Sequence, residues 1–220
     1  MAAMYKVNEI FTSVQGEGIL VGSPATFIRL QGCPVGCSWC DSGPLADELK
    51  GRTTNGLTRN TWGKGGEEMT VEAILEQVDR RHVIITGGEP TIWNLDPLIH
   101  TLRKAGSFIQ LETSGFSELK GEYIPDHITI SPKSNLGYNV PPNLLRRATE
   151  IKFVVDEVLT MDEVMTLWYA ANTSTVICFM PEGCPPSAES IERTLKFVNN
   201  GPVNWNWRFT DRLQYRIGVR

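Results

Sequence analysis

The sequence predicts an α/β fold with a mainly parallel sheet, arranged as a partial, open barrel. Short apolar segments rich in β-branched and aromatic residues alternate with stretches of helical periodicity. The helical stretches are too few for a closed eight-unit barrel. A chain of 220 residues, 41% hydrophobic and 21% charged, also has the composition of a globular protein with a sizeable core rather than that of a disordered one. One domain spanning residues 1–220 is expected.

Each element has its own signal. Residues 25–30, 82–85, 108–111, 127–130, 151–155 and 175–179 are short, apolar and bounded by polar or turn residues, and are predicted strands. A helix is expected after Thr70, whose hydroxyl suits an N-cap, with Ile74, Leu75 and Val78 on one face. Glu72 stands one place short of the ideal capping-box position. A second helix is expected over 94–105, with Leu95, Leu98, Ile99 and Leu102 on one face and Gly106 as its stop. Residues 161–171 and 188–198 are two more. The stretch 42–68 is rich in Gly, Thr, Arg and Asn without periodicity, and reads as a long loop or small insertion. Residues 135–142 form another loop, with Pro141 and Pro142 opening the next helix.

Charge and hydropathy exclude several function classes. The formal net charge is −4 and no long basic run occurs, which argues against a nucleic-acid partner. No apolar stretch is long enough to span a bilayer, and the first residues lack a signal-peptide layout. No membrane association and a cytoplasmic location are therefore expected.

The chemistry concentrates in one segment, Gly32-Cys33-Pro34-Val35-Gly36-Cys37-Ser38-Trp39-Cys40-Asp41. Three of the five cysteines stand here in C-x3-C-x2-C spacing. Such crowding in a reducing compartment points to a metal site rather than a disulfide framework. Three thiolates on one loop can each take one iron of a [4Fe–4S] cubane and leave the fourth iron open, whereas electron-transfer clusters usually have four cysteines. S-Adenosylmethionine (SAM) can fill that open position through its amino and carboxylate groups. The competing reading is a zinc site, which needs a fourth protein ligand. Cys178 and Cys184 are isolated and distant, and His82, His100 and His127 form no paired motif. Cys178 lies in a strand-like run and reads as a small buried residue; Cys184 reads as a loop thiol.

The cysteine spacing, with an aromatic before the last cysteine, resembles the radical SAM superfamily signature. Thr86-Gly87-Gly88-Glu89-Pro90, directly after a predicted strand, resembles the superfamily's SAM-binding turn. Further motifs resemble the 7-carboxy-7-deazaguanine synthase family of queuosine biosynthesis. These are Ser13-Val14-Gln15-Gly16-Glu17-Gly18, Arg29 in the strand before the cluster, Cys40-Asp41-Ser42, Glu112-Thr113-Ser114-Gly115 and Ser131-Pro132-Lys133. The resemblance runs from Val7 to about Val155 and continues weakly beyond. Near the C-terminus, Gln214 stands where the family often has histidine.

The resemblance implies a partial TIM-like barrel and a carbon–nitrogen lyase. It would contract 6-carboxy-5,6,7,8-tetrahydropterin to 7-carboxy-7-deazaguanine with loss of ammonia. Cys33, Cys37 and Cys40 would hold the cluster, and Trp39, Gly87, Gly88, Glu89, Ser131 and Lys133 would hold SAM. Gln15, Gly16, Glu17, Arg29, Glu112 and Gln214 would bind the pterin, Arg29 by pairing with its carboxylate. Ser42 would place a hydroxyl on Mg²⁺. A reductant such as a flavodoxin and a homodimeric state are implied as well. Two alternatives are an activating enzyme for glycyl radicals, which would have no use for Gln15-Gly16-Glu17-Gly18, and a non-catalytic metal-binding module.

Overall fold

The computed structural model describes residues 3–37, 40, 65–202 and 206–219. They form a nine-stranded sheet. The strands are β1 (Met4–Val14), β2 (Pro24–Leu30), β3 (Glu67–Thr70), β4 (His82–Gly87), β5 (Phe108–Thr113), β6 (His127–Ile130), β7 (Glu150–Val155), β8 (Val176–Pro181) and β9 (Trp207–Phe209). Their spatial order is β3-β1-β2-β4-β5-β6-β7-β8-β9. Every pairing from β2 through β9 is parallel, and β1 runs antiparallel to both β2 and β3.

The helices are α1 (Val71–Leu75), α2 (Asp96–Lys104), α3 (Pro142–Leu145), α4 (Met161–Ala170), α5 (Ala188–Asn199) and α6 (Leu213–Ile217). Thr70 caps α1 by accepting from the Ala73 N–H at 3.2 Å. The reciprocal capping box occurs instead at α4, between Thr160 and Glu163. Gly106 ends α2 at φ +82°, as its sequence position suggested.

One face of the sheet carries Ile28, Leu30, Val83, Ile85, Ile109, Leu111, Ile130, Ile151 and Phe153, packed with Leu98, Ile99 and Leu102 of α2 and Val164 and Leu167 of α4 in one core. The opposite face carries Arg29, Gln110, Glu112, Thr129, Glu150, Lys152 and Cys178. The alternation of side chains along each strand separates the two sets.

The sheet curls. Flat strands about 4.8 Å apart would leave β1 and β9 more than 30 Å from each other. Instead, the segment after β1 reaches the end of β9: the Gly18 N–H donates to Thr210 Oγ1 at 2.8 Å, and the Leu213 N–H donates to the Gly16 carbonyl at 2.9 Å. The polar face thus becomes the inner wall of an open barrel, closed across one end by residues 15–20 and α6.

Three strands and one helix go beyond the sequence expectation. β1 contains a register shift between Val7 and Glu9. Tyr5 and Val7 therefore face the core while Glu9 and Phe11 face inward, so the two-residue period breaks mid-strand. β3 takes residues 67 and 68 from the expected loop over 42–68. β9 and α6 are too short to show periodicity.

Candidate active site

The cysteine loop leaves the C-terminal end of β2, where ligand sites of parallel α/β sheets gather. Cys33, Cys37 and Cys40 are free and partly exposed. The Cys40 N–H donates to the Cys37 carbonyl at 3.3 Å. Asn135 ties the loop down: its Nδ2 donates to the Val35 carbonyl at 2.7 Å, and its Oδ1 faces Cys37 Sγ at 3.7 Å. Burial pushes the Cys33 and Cys37 thiols up, and the other cysteines of the loop add to this; Lys133 opposes it at Cys37. The three thiols sit on one loop, near enough to act on one another electrostatically. Among the described residues no three Cys, His, Asp or Glu converge on one ion position. A cubane asks for no such convergence, since each thiolate takes a separate iron, and the donor set fits one.

The turn after β4 is built onto this loop. The Gly88 N–H donates to the Leu30 carbonyl at 3.1 Å and the Glu89 N–H to the Gly32 carbonyl at 2.8 Å. A Cβ on Gly87, at φ +142°, would lie 2.1 Å from the Leu30 carbonyl oxygen; one on Gly88 would lie 2.0 Å from that of Gly32. These glycines therefore admit the chain's own cysteine loop. Glu89, 1% exposed, is fully engaged by protein. Its Oε1 accepts from Thr91 N–H (3.0 Å), Thr91 Oγ1 (2.8 Å) and Thr113 Oγ1 (2.5 Å); its Oε2 accepts from Ser114 N–H (2.8 Å) and Ser114 Oγ. A carboxylate has about four lone-pair positions. In the structure the Glu89 oxygens clamp the β4 turn to the end of β5.

Ser131 follows β6 beside this clamp, its N–H donating to the Thr113 carbonyl at 2.8 Å. Lys133 Nζ donates to Ser131 Oγ at 2.8 Å. Both therefore sit at the cysteine end. Trp39 and Ser42 lie outside the described residues.

Gln15, Gly16 and Glu17 stand elsewhere. Because β1 is antiparallel to β2, with Val14 opposite Pro24, this segment emerges at the N-terminal end of β2. The cysteines emerge at the other end, a strand length of roughly 20 Å away. The nearness of Gln15, Gly16 and Glu17 to the cysteines in sequence is undone by the strand reversal between β1 and β2. The segment instead forms the floor of the barrel. Gln15 Nε2 donates to Glu112 Oε1 at 3.0 Å, and Gln110 Nε2 to the same oxygen at 2.7 Å. Lys152 Nζ bridges Glu17 Oε2 at 2.7 Å and Glu112 Oε2 at 3.2 Å. Gln214 Nε2 donates to Glu17 Oε1 at 3.0 Å, and Arg212 stands 3.7 Å from that oxygen. Gly16 lets the Gln214 amide pack closely, because a Cβ there would fall 1.7 Å from Gln214 Oε1 and push that side chain aside. That oxygen is buried and has no hydrogen-bond partner among the described residues.

Burial alone would raise the Glu17 carboxyl, but Lys152 and Arg212 outweigh it and hold it down at about 2. Glu112 is raised, by burial first and by Glu150 and Glu17 next, against the pull of Lys152. Burial would lower Lys152, yet Glu112, Glu17 and Glu150 keep it above its ordinary value. The floor thus holds the carboxylates of Glu17, Glu112 and Glu150 against the cations of Lys152 and Arg212. Arg29 lies on the inner face toward the cysteine end, its Nε donating to Glu9 Oε1 at 2.9 Å and its guanidinium over the Phe11 ring at 5.8 Å.

Residues 27–154 match the model of the radical SAM superfamily. The 7-carboxy-7-deazaguanine synthase of Escherichia coli K12 is 43% identical over 165 residues, covering 70% of this chain and 73% of that protein. The chain belongs to the 7-carboxy-7-deazaguanine synthase family. The synthase of Pyrobaculum aerophilum is 34% identical over 225 residues, covering 94% of this chain and 92% of its own. The crystal structure of QueE from Escherichia coli superposes with a TM-score of 0.74 at 33% identity, covering 96% of this chain and 94% of that one.

As a 7-carboxy-7-deazaguanine synthase family member, the chain is an enzyme that uses a [4Fe–4S] cluster and SAM. No helix among the described residues is long and apolar enough to cross a membrane. Three features of this synthase fold escaped the sequence reading. Asn135 carries no motif. Gln110 is one polar residue within a strand. Lys152 had a usable signal, a charge in the apolar run Ile151-Lys152-Phe153-Val154-Val155.

Proposed function

We propose that the protein contracts 6-carboxy-5,6,7,8-tetrahydropterin to 7-carboxy-7-deazaguanine with release of ammonia, acting as a carbon–nitrogen lyase. The observation that supports this best is a barrel with different chemistry at its two ends. Three thiols and the Gly87-Gly88-Glu89 turn lie at one end, and an acceptor-rich floor lies at the other. Cys33, Cys37 and Cys40 would hold a cluster that, with SAM, would supply the radical chemistry for hydrogen abstraction.

The chain's residues bind and orient. Glu89 serves SAM by fixing the backbone of Gly87 and Gly88. Lys133 and Ser131 stand at the same end for a carboxylate and a ribose. Trp39 is assigned to the adenine on the motif alone. The pyrimidine edge of a pterin carries an N–H and an exocyclic amine, both donors, beside a carbonyl acceptor. Glu17, Glu112 and the open Gln214 Oε1 supply acceptors, and Gln15 and Lys152 supply donors. Arg29, held flat by Glu9 and Phe11, faces the other end of such a substrate, where the carboxylate sits on C6. The pterin therefore lies with its pyrimidine edge on the floor and C6 toward the cysteines, shielded from water by the strand walls.

Mg²⁺ held by Ser42, a flavodoxin-type reductant, a homodimer and a cytoplasmic location complete the reading. The first three rest on the family resemblance, and the location on hydropathy. Anaerobic incubation of the reconstituted protein with SAM, reductant, Mg²⁺ and the carboxypterin tests it. 7-Carboxy-7-deazaguanine is the expected product, and SAM cleavage without any pterin consumption overturns the assignment. Omission of Mg²⁺ in the presence of a chelator is expected to lower turnover.

A further inference from the structure

Lys152 is the most deeply placed cation of the barrel floor, 5% exposed. It stands on β7, two strands from Glu112 on β5, and its ammonium reaches past β6 to meet both Glu112 and Glu17. We propose that Lys152 is a positioning residue for substrate recognition: its ammonium, shared between Glu17 and Glu112, holds the two carboxylates together as one acceptor surface for the donor edge of the pterin. This deepens the function proposed above and rests on it.

Hydrogen-bond accounting supports the assignment. Glu112 Oε1 already accepts from Gln15 and Gln110, and Oε2 accepts from Lys152. With about four lone-pair positions on a carboxylate, Glu112 keeps about one for a ligand. Glu17 accepts from Lys152 and Gln214 and keeps about two. Which positions stay open is decided by where the ammonium sits. Without it, two carboxylates would face each other in a desolvated site, and one would take up a proton. A protonated Glu112 becomes a donor and opposes the substrate's own N–H groups.

The surrounding charges leave Lys152 as the counter-ion the two carboxylates share. Glu150 of β7 adds negative charge and accepts from the Ile19 N–H at 3.1 Å. His127 of β6 stands 3.4 Å from Glu150. His82 of β4 is bonded to Gln110 at 3.0 Å and is pushed below its ordinary value by burial. On β8, burial pushes the Cys178 thiol up, with Glu150 adding to this, so it stays neutral. Arg208 of β9 acts on Cys178, and Arg212 acts on Glu17 from the far side.

The test compares Lys152→Met, Lys152→Gln and Lys152→Arg as reconstituted holoenzymes. Iron content and SAM affinity are measured beside the pH dependence of carboxypterin turnover. Wild-type turnover in the same preparations checks the underlying function separately. The Met and Gln variants are expected to keep iron and SAM affinity and to raise the pterin KM about tenfold or more. They should change kcat less, and move the acid limb of kcat/KM upward by about one pH unit. Lys152→Arg is expected to restore KM to within about threefold of wild type, because it keeps the charge. Neutral variants with wild-type KM and acid limb overturn the proposal, as does an Arg variant as impaired as the Met variant. If both neutral variants lose iron and SAM binding along with pterin binding, Lys152 is a folding residue and the proposal fails.

Discussion

Glu89 receives five hydrogen bonds on two oxygens while almost wholly buried, a concentration that makes it a structural centre as much as a site residue. Its donors come from the β4 turn and from the end of β5, so one side chain fixes the distance between two strand ends. Truncating it leaves several buried donors without partners, and each such orphan costs about 1–3 kcal/mol. Glu89→Ala is therefore expected to lower unfolding stability of the apo protein by at least about 3 kcal/mol in a denaturant titration, beyond any loss of SAM binding. An unchanged midpoint would show that the five bonds contribute nothing net. The cysteines separate by the same kind of reasoning. Cys37→Ala is expected to abolish the brown chromophore and SAM cleavage after reconstitution. Cys178→Ala and Cys184→Ala are expected to keep both, because Cys178 is buried in β8 and Cys184 lies in the loop after it.

At the scale of elements, the contact between the β4 turn and the cysteine loop depends on missing side chains. Gly88→Ala would drive a methyl into the Gly32 carbonyl and the Cys33 Cβ, at 2.0 and 2.8 Å. Neither neighbour is the free end of a flexible side chain, so the turn and the loop must part. Expected is a protein with near-native circular dichroism but poor iron incorporation; full incorporation would mean that the loop tolerates the shift. This contact also shows what the sequence could reveal. Strands β2 and β4 to β8 were legible because each is a short stretch rich in Ile, Val, Leu and Phe at its core-facing positions and is bounded by turn residues. The cysteine and Gly-Gly-Glu-Pro segments were legible as motifs, and α/β topology carries both to the same strand ends. β1 was hidden by its bulge, which exchanges core-facing and inward-facing positions halfway along. The floor was only half legible. Gln15, Glu17 and Glu112 were named, but their distance from the cysteines follows from β1 running antiparallel, and strand direction is not a local property of sequence.

For the whole molecule, a buried charged floor ties stability to pH. Glu17 has an ordinary value of 4.5 and is held at about 2 in the folded state, where Lys152 and Arg212 outweigh its burial. Between these values the unfolded chain binds more protons at this group, so its contribution to stability is complete above about 4.5 and falls as the pH drops toward about 2. From pH 6 to pH 3 the loss amounts to roughly 2 kcal/mol, given that the Glu17 side chain is 16% exposed and little screened. Glu112 works the other way. Its raised value means that the folded state takes up a proton first as the pH falls from neutrality, so this group favours the fold with acidification and opposes it as the pH rises. The two groups share Lys152, so protonating one strengthens the hold of the ammonium on the other. Glu17→Gln removes the first effect and leaves the second. Urea titrations of the apo protein at pH 6 and pH 3 are expected to show wild type losing roughly 2 kcal/mol more than this variant over that interval. Equal losses would mean that Glu17 carries no depressed value in the fold, and that the ammonium of Lys152 is committed to Glu112 alone.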